Sequence, residues 1–220
     1  MGVAADLPIG LLGGSFDPIH HGHLQLGRDA LKQLPLHEVR FIPAAQPWQK
    51  GPITAAEHRA QMVRLAIAGE PRFALDMHEI ERGGVTYTVD TLRALRLALP
   101  NRPLVLIMGS DQFAQFDTWH GWKEIVEAAH IVVAQRAGTS LQPGPPLQAV
   151  ADAHRGNAAS IAERPGGRIV KFAMTPVDVS ATEVRRLLRE PPSTETAQRL
   201  SVMVPAAVLD YIHLHHLYRE

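Results

Sequence analysis

The chain has 220 residues, 45% of them hydrophobic, which suits one α/β domain or one domain with a modest extension. Lys plus Arg and Asp plus Glu balance at 22 each. That balance argues against a protein that coats nucleic acid or an anionic membrane, while leaving room for a local basic pocket. Cysteine is absent, so disulfides and thiolate chemistry are excluded.

The first residues, Met1 to Gly14, lack a basic stretch followed by a long apolar one, so they do not read as a signal peptide. The most apolar runs, such as Leu104 to Met108, are too short to span a bilayer. The expectation is a soluble, cytoplasmic protein.

Short apolar runs then alternate with helical patterns. Pro8 to Gly13 predicts a first strand, followed by a helix with Leu24, Gly27, Leu31 and Leu34 at spacings of three and four. Val39 to Pro43 is a second strand. A helix over about 55–69 carries Met62, Leu65 and Ala66 on one face, and Phe73 to Glu79 reads as a third strand. A helix over about 88–99 presents Leu92, Leu95 and Leu99. Leu104 to Met108 is continuously apolar, as a central parallel strand buried on both faces should be.

Trp122 to Ala129 predicts a helix, and Ile131 to Ala134 a strand. Residues 137–167 are punctuated by Gly138, Pro143 to Pro146, Gly156 and Pro165 to Gly167, which predicts a long flexible loop or insertion. Arg168 to Ala173 restores a strand. A helix follows Ser180, a break falls at Pro191-Pro192, and a last helix begins at Pro205 with Val208, Tyr211 and Ile212 inward. Repeated βα units imply one domain over 1–220: a doubly wound parallel sheet of Rossmann-like type with C-terminal helices.

The string Gly13-Gly14-Ser15-Phe16-Asp17-Pro18-Ile19-His20-His21-Gly22-His23 lies between the first strand and the next helix, where ligands bind in open α/β sheets. Glycines let the backbone approach a ligand closely. The helix start offers unpaired N–H groups and a positive dipole end, a good phosphate site. His20 and His23 can both face one anion there and donate hydrogen bonds to it. Two plainer readings stand beside this one. The string can be a tight turn with solvated histidines. It can also be a metal site, although no cysteine and no H-E-x-x-H arrangement completes a ligand set. The pattern is neither G-x-x-x-x-G-K-[ST] nor G-x-G-x-x-G, and no G-x-S-x-G elbow occurs.

Val179-Ser180-Ala181-Thr182-Glu183-Val184-Arg185 opens a later helix. Ser180 and Thr182 can cap its N-terminus and also bind phosphate, and Arg185 can fork onto phosphate oxygens. The plain alternative is an ordinary cap beside an exposed arginine. Gly109 and Asp111 follow the central strand and run into Phe116-Asp117-Thr118-Trp119. Glu79 to Leu92 contains Gly83 to Tyr87, a loop able to deliver N–H groups to an anion ahead of a helix capped at Thr88.

The glycine-histidine string resembles the H-x-G-H nucleotidyltransferase superfamily, whose first loop holds the phosphates of ATP, and the string at 179–185 is similar to its I-S-S-T-x-(I/V)-R signature. With 79–92 similar to E-x-x-R-x-G-x-S-Y-T-x-D-T-L, the chain looks most like the bacterial nicotinate-nucleotide adenylyltransferases. The resemblance implies transfer of AMP from ATP, accompanied by Mg²⁺, to nicotinate mononucleotide, giving deamido-NAD and pyrophosphate. It implies His20, His23 and Arg185 as catalytic residues, with no metal ligand from the protein. It implies Gly13, Gly14, Ser15, Phe16, Lys50, Gly109, Asp111, Arg136, Ser180 and Thr182 as ATP-binding. Tyr87, Thr88, Trp119 and His120 would hold the acceptor, Trp119 by stacking on its pyridine and the backbone near His120 by reaching its carboxylate. One departure stands out: Pro47-Trp48-Gln49-Lys50 replaces the family's frequent Pro-Pro-His-(Lys/Arg), with Gln49 at the histidine position. The alternatives are a related transferase, such as phosphopantetheine adenylyltransferase, and a nucleotide sensor that binds ATP without turnover.

Overall fold

The computed structural model describes residues 7–47, 53–136 and 143–219. In chain order it begins with β1 (Ile9–Gly14), α1 (His21–Gln33), β2 (Glu38–Pro43), β3 (Gln46–Pro47), α2 (Ala56–Ile67) and β4 (Phe73–Leu75). α3 (His78–Arg82), β5 (Val85–Thr86), α4 (Thr88–Ala98), β6 (Leu104–Gly109), α5 (Ser110–Phe113) and α6 (Trp122–Ala128) follow. β7 (His130–Arg136), α7 (Pro145–Ala153), β8 (Ile169–Met174), α8 (Ala181–Arg189), α9 (Thr194–Met203) and α10 (Ala206–Leu214) complete it.

The main sheet runs β4-β2-β1-β6-β7-β8 and every pairing in it is parallel. The chain winds outward from β1, returns to lay β6 beside β1, and winds outward the other way. The order therefore reverses between β1 and β6, which is where such sheets open a crevice at their carboxyl ends. Period-two alternation sorts the side chains. Leu104, Leu106 and Met108 enter one apolar cluster, while Val105 and Ile107 enter the other on the opposite face. Each side chain buried this fully contributes about 1.5–3 kcal/mol.

Three local readings are corrected. The strand expected over 73–79 stops at Leu75, because Asp76 accepts the His78 N–H through Oδ1 at 3.0 Å and starts α3. The stretch expected as a loop over 137–167 contains α7 and a 3-10 turn at Ala159–Ile161, with 137–142 outside the described residues. Its prolines signal a helix start: Pro145 and Pro146 occupy the first helical positions, where no N–H partner exists to be lost, and Leu147 is fully buried. α9 was also not expected; Ser193 caps it by accepting the Thr196 N–H at 3.1 Å. No helix among the described residues is long and apolar enough to cross a membrane.

The amino-end edge of the sheet holds a buried histidine. His130 Nε2 lies 2.8 Å from the Arg164 carbonyl, and Nδ1 lies 3.2 Å from the Arg168 N–H, which donates to it. That arrangement fits the neutral ring with its proton on Nε2. Burial lowers the His130 pKa, opposed by the Arg164 carbonyl and assisted by the nearby arginines. The unfolded chain thus takes up a proton near pH 6.5 that the folded chain takes up only at lower pH. Stability from this group is present above about 6.5 and is lost as pH falls below it. The thermal midpoint should drop more steeply between about pH 7.5 and about pH 5.5 in the wild type than in His130→Gln. Parallel slopes would remove His130 as a source of acid sensitivity.

Candidate active site

A cavity of about 160 Å³ opens at the switch point. Gly13, Gly14 and Ser15 from the end of β1 form one side, and Ile107, Met108 and Gln112 from β6 and α5 another. Thr86, Thr88 and Trp119 close it. The cavity thus brings the glycine loop together with two of the residues expected to hold the acceptor. A Cβ built at Gly13 would meet nothing within 4 Å. The fold itself therefore has room for a side chain there, and the space above Gly13 is cavity.

Beyond Ser15 the loop turns through Phe16 at φ 47° and a cis Asp17-Pro18 bond into α1. His20 caps α1 and His23 sits one turn in, their rings stacked with centroids 3.7 Å apart. The His20 N–H donates to His23 Nδ1 at 3.3 Å. A neutral His23 therefore carries its proton on Nε2, the nitrogen able to donate to an anion. His20 is buried and His23 partly so. Gly22 lies between them because a Cβ there would come within 3.0 Å of Val179 Cγ1 and 3.1 Å of the His20 ring. Two strings far apart in sequence thus touch at this glycine.

The second string lies as the helix signals suggest. Ser180 caps α8 and accepts the Glu183 N–H at 3.2 Å. Arg185 donates to the Asp17 carbonyl at 2.5 Å and to Thr182 Oγ1 at 3.3 Å, so it braces the histidine loop directly. Gly109 caps α5 on the same sheet edge, and Asp111 lies exposed in its first turn. Trp119 is partly buried, with its ring edge-on to Phe116 at 5.5 Å. Tyr87, not Thr88 as expected, holds the cap position of α4 and packs on the His120 ring at 4.8 Å, which joins the two segments expected to hold the acceptor.

Other expected residues differ in standing. The Phe16 side chain is 1% exposed and packs on Phe41 and His23, so its ring belongs to the core and only its main chain remains for a nucleotide. Lys50 lies outside the described residues, and Arg136 ends β7 with its side chain outside them.

Three residues were not anticipated. Arg59, on α2, is fully buried and donates to the carbonyls of Ser15 (2.7 Å), Ala44 (2.6 Å), Ala45 (2.9 Å) and Thr54 (2.7 Å). Tyr218 donates to Asp17 Oδ1 at 2.6 Å. Glu79 is buried, lines the cavity, and accepts from Thr91 Oγ1 at 2.6 Å. Burial pushes its carboxyl above the usual range, against the hydroxyls of Thr91 and Thr86. Only Glu79 had a sequence signal, as the first residue of the segment running to Leu92.

The site offers clustered donors and one aromatic face. Among the described residues no three His, Asp or Glu side chains converge as metal ligands. The clustered donors suit polyphosphate chemistry.

A cytidylyltransferase-like family model matches residues 11–187. A relative from Dechloromonas aromatica, named "probable nicotinate-nucleotide adenylyltransferase", is 43% identical over 97% of this chain and 98% of its own length. One of the same name from Bordetella avium is 44% identical over 96% of this chain and 98% of its own. Among solved structures, the nicotinic acid mononucleotide adenylyltransferase of Plasmodium falciparum complexed with NaAD shares the fold. Its TM-score is 0.73 at 20% identity, covering 96% of this chain and 97% of that one. Matched by the family model over residues 11–187 and by relatives along nearly its whole length, the chain belongs to the nicotinate-nucleotide adenylyltransferase family of cytidylyltransferase-like proteins.

Proposed function

We propose that this enzyme transfers the adenylyl group of ATP to nicotinate mononucleotide, releasing pyrophosphate and forming deamido-NAD. The carrying observation is the single cavity that joins Gly13 to Ser15 with Thr88 and Trp119. The family membership supports the same reaction. The chain acts as one nucleotidyltransferase domain, since both apolar clusters flank the one main sheet.

No enzyme nucleophile is required. A phosphate oxygen of the acceptor attacks the α-phosphorus of ATP in line; the new P–O bond forms as the bond to pyrophosphate breaks. Negative charge grows on the α-phosphate oxygens and the leaving group. His20, His23 and the N-terminus of α1 meet it with donors, and Ser180, Thr182 and Arg185 serve from α8. Gly13, Gly14, Ser15, Gly109 and Asp111 shape the ATP side, joined by Lys50 and Arg136. Mg²⁺ held by the phosphates and water would neutralise part of their charge. Incubation with ATP and nicotinate mononucleotide should yield pyrophosphate and deamido-NAD in equal amounts; ATP binding with no pyrophosphate would indicate a sensor.

Acceptor choice follows from Tyr87-Thr88 and Trp119-His120, which can offer backbone N–H donors and a ring face together. A nicotinate carboxylate satisfies such donors. A nicotinamide would turn its own NH₂ toward them and leave buried donors unpaired, at about 1–3 kcal/mol each. The acid form should therefore be preferred. Trp119→Ala should weaken both acceptors alike, by about 1–3 kcal/mol of stacking, with discrimination retained. Equal kcat/KM for the two mononucleotides would sink the carboxylate pocket while leaving adenylyl transfer standing.

A further inference from the structure

After α10 the chain doubles back. The Leu217 N–H donates to the Ile212 carbonyl at 3.0 Å, and the His216 N–H to the His213 carbonyl at 3.3 Å. His216 and Tyr218 sit at φ 52° and 65°, in the left-handed region that side-chain-bearing residues adopt only when their surroundings impose it. The reversal carries Tyr218 off the helix axis and onto the loop between β1 and α1. There its hydroxyl donates to Asp17 Oδ1 at 2.6 Å, and its ring packs against the apolar cluster that also contains Phe16 and Ile19.

Asp17 is itself buried and lies three residues before His20. It is held from two directions: Arg185 of α8 takes its carbonyl at 2.5 Å and Tyr218 takes its carboxylate. Arg59 fixes the same loop two residues earlier, at the Ser15 carbonyl. Burial and the bond to Asp17 raise the Tyr218 pKa, which keeps the hydroxyl a donor across the working range of pH.

We propose that Tyr218 is a positioning residue for adenylyl transfer, its hydroxyl clamping Asp17 so that the following turn presents His20 and His23 in register. The inference rests on the adenylyl-transfer reading for its catalytic half only. Tyr218 reaches the loop through Asp17, so loss of its hydroxyl should lower turnover more than acceptor binding.

The test is Tyr218→Phe, which removes one oxygen and keeps the ring. Amide hydrogen exchange of the full-length protein gives a readout independent of catalysis. Exchange across 15–23 should quicken about tenfold, the loss of one bond to a charged acceptor, while β6 and β7 exchange as before. In the same variant kcat should fall about tenfold, with the acceptor KM within about twofold. Against an Asp17→Ala background the same change should add nothing to loop exchange. Unchanged exchange across 15–23, or an equal further increase in the Asp17→Ala background, overturns the clamp. Faster exchange with wild-type kcat in an active enzyme overturns its catalytic role. If the wild type releases no pyrophosphate, the adenylyl-transfer reading fails, and the exchange data still decide whether Tyr218 holds the loop.

Discussion

His23→Ala should lower turnover by about 10²–10³-fold, the cost of one preorganised donor to developing charge, while the protein still folds. The expectation comes from how the ring is set. The His20 N–H at 3.3 Å from Nδ1 commits the neutral ring to donating through Nε2, and the stacked His20 ring, at 3.7 Å, limits its rotation. Water entering in place of the imidazole could donate, but it would have to be ordered at the moment charge develops, and that reorganisation is what the fixed ring avoids. The fold should survive because His23 is only partly buried and its backbone N–H bond to the His20 carbonyl does not depend on the side chain. Steady-state kcat for pyrophosphate release, beside a thermal melt, tests both halves. His20→Ala should lose turnover similarly. Near-normal turnover in either variant would take that histidine out of the mechanism.

The largest stability effect should come from Arg59→Met. The guanidinium reaches four carbonyls from the loop after β1, the turn after β2 and the lead into α2. A methionine fills part of the volume and supplies no donors. Water cannot easily follow into a site where Arg59 is 0% exposed, so several carbonyls lose their partners. With about 1–3 kcal/mol for each unsatisfied buried group and partial relaxation, a loss of about 3–5 kcal/mol is expected. At this chain length the thermal midpoint should fall on the order of 10 °C. Arg59→Lys should recover only part of it, because an ammonium cannot reproduce the planar fork. Calorimetry of the three proteins decides, and an unchanged midpoint in Arg59→Met would show that the loop finds other partners.

Much of the site was legible because its signals are local. The glycines, both histidines and the Ser180 cap each depend on neighbours within a few residues, and the run from Leu104 to Met108 announces a strand buried on both faces. Arg59 was illegible for the opposite reason. Its partners Ser15 and Ala44 lie 44 and 15 residues away, and in sequence it is one charged residue on an amphipathic helix. Tyr218 bonds across 201 residues, and in sequence it looks like part of a helix end with no chemistry of its own. Phe16 was assigned with the loop it belongs to, whereas its left-handed φ turns the ring into the core. α7 was hidden by its prolines, which read as loop punctuation until their place at the helix start is seen.

The contact at Gly22 has a consequence for anyone diversifying this enzyme. A methyl group added there meets Val179 from one side and the His20 imidazole from the other. Shortening Val179 to Ala relieves the first encounter and leaves the second, so the imidazole would still have to give by a few tenths of an ångström. Position 22 therefore works as a spacer between the His20 ring and Val179, just ahead of α8. A combinatorial library that varies it alone would yield misaligned histidines even where expression is good. Productive diversity should be sought by keeping Gly22 and His20 and varying position 179, which meets them from the far end of the chain.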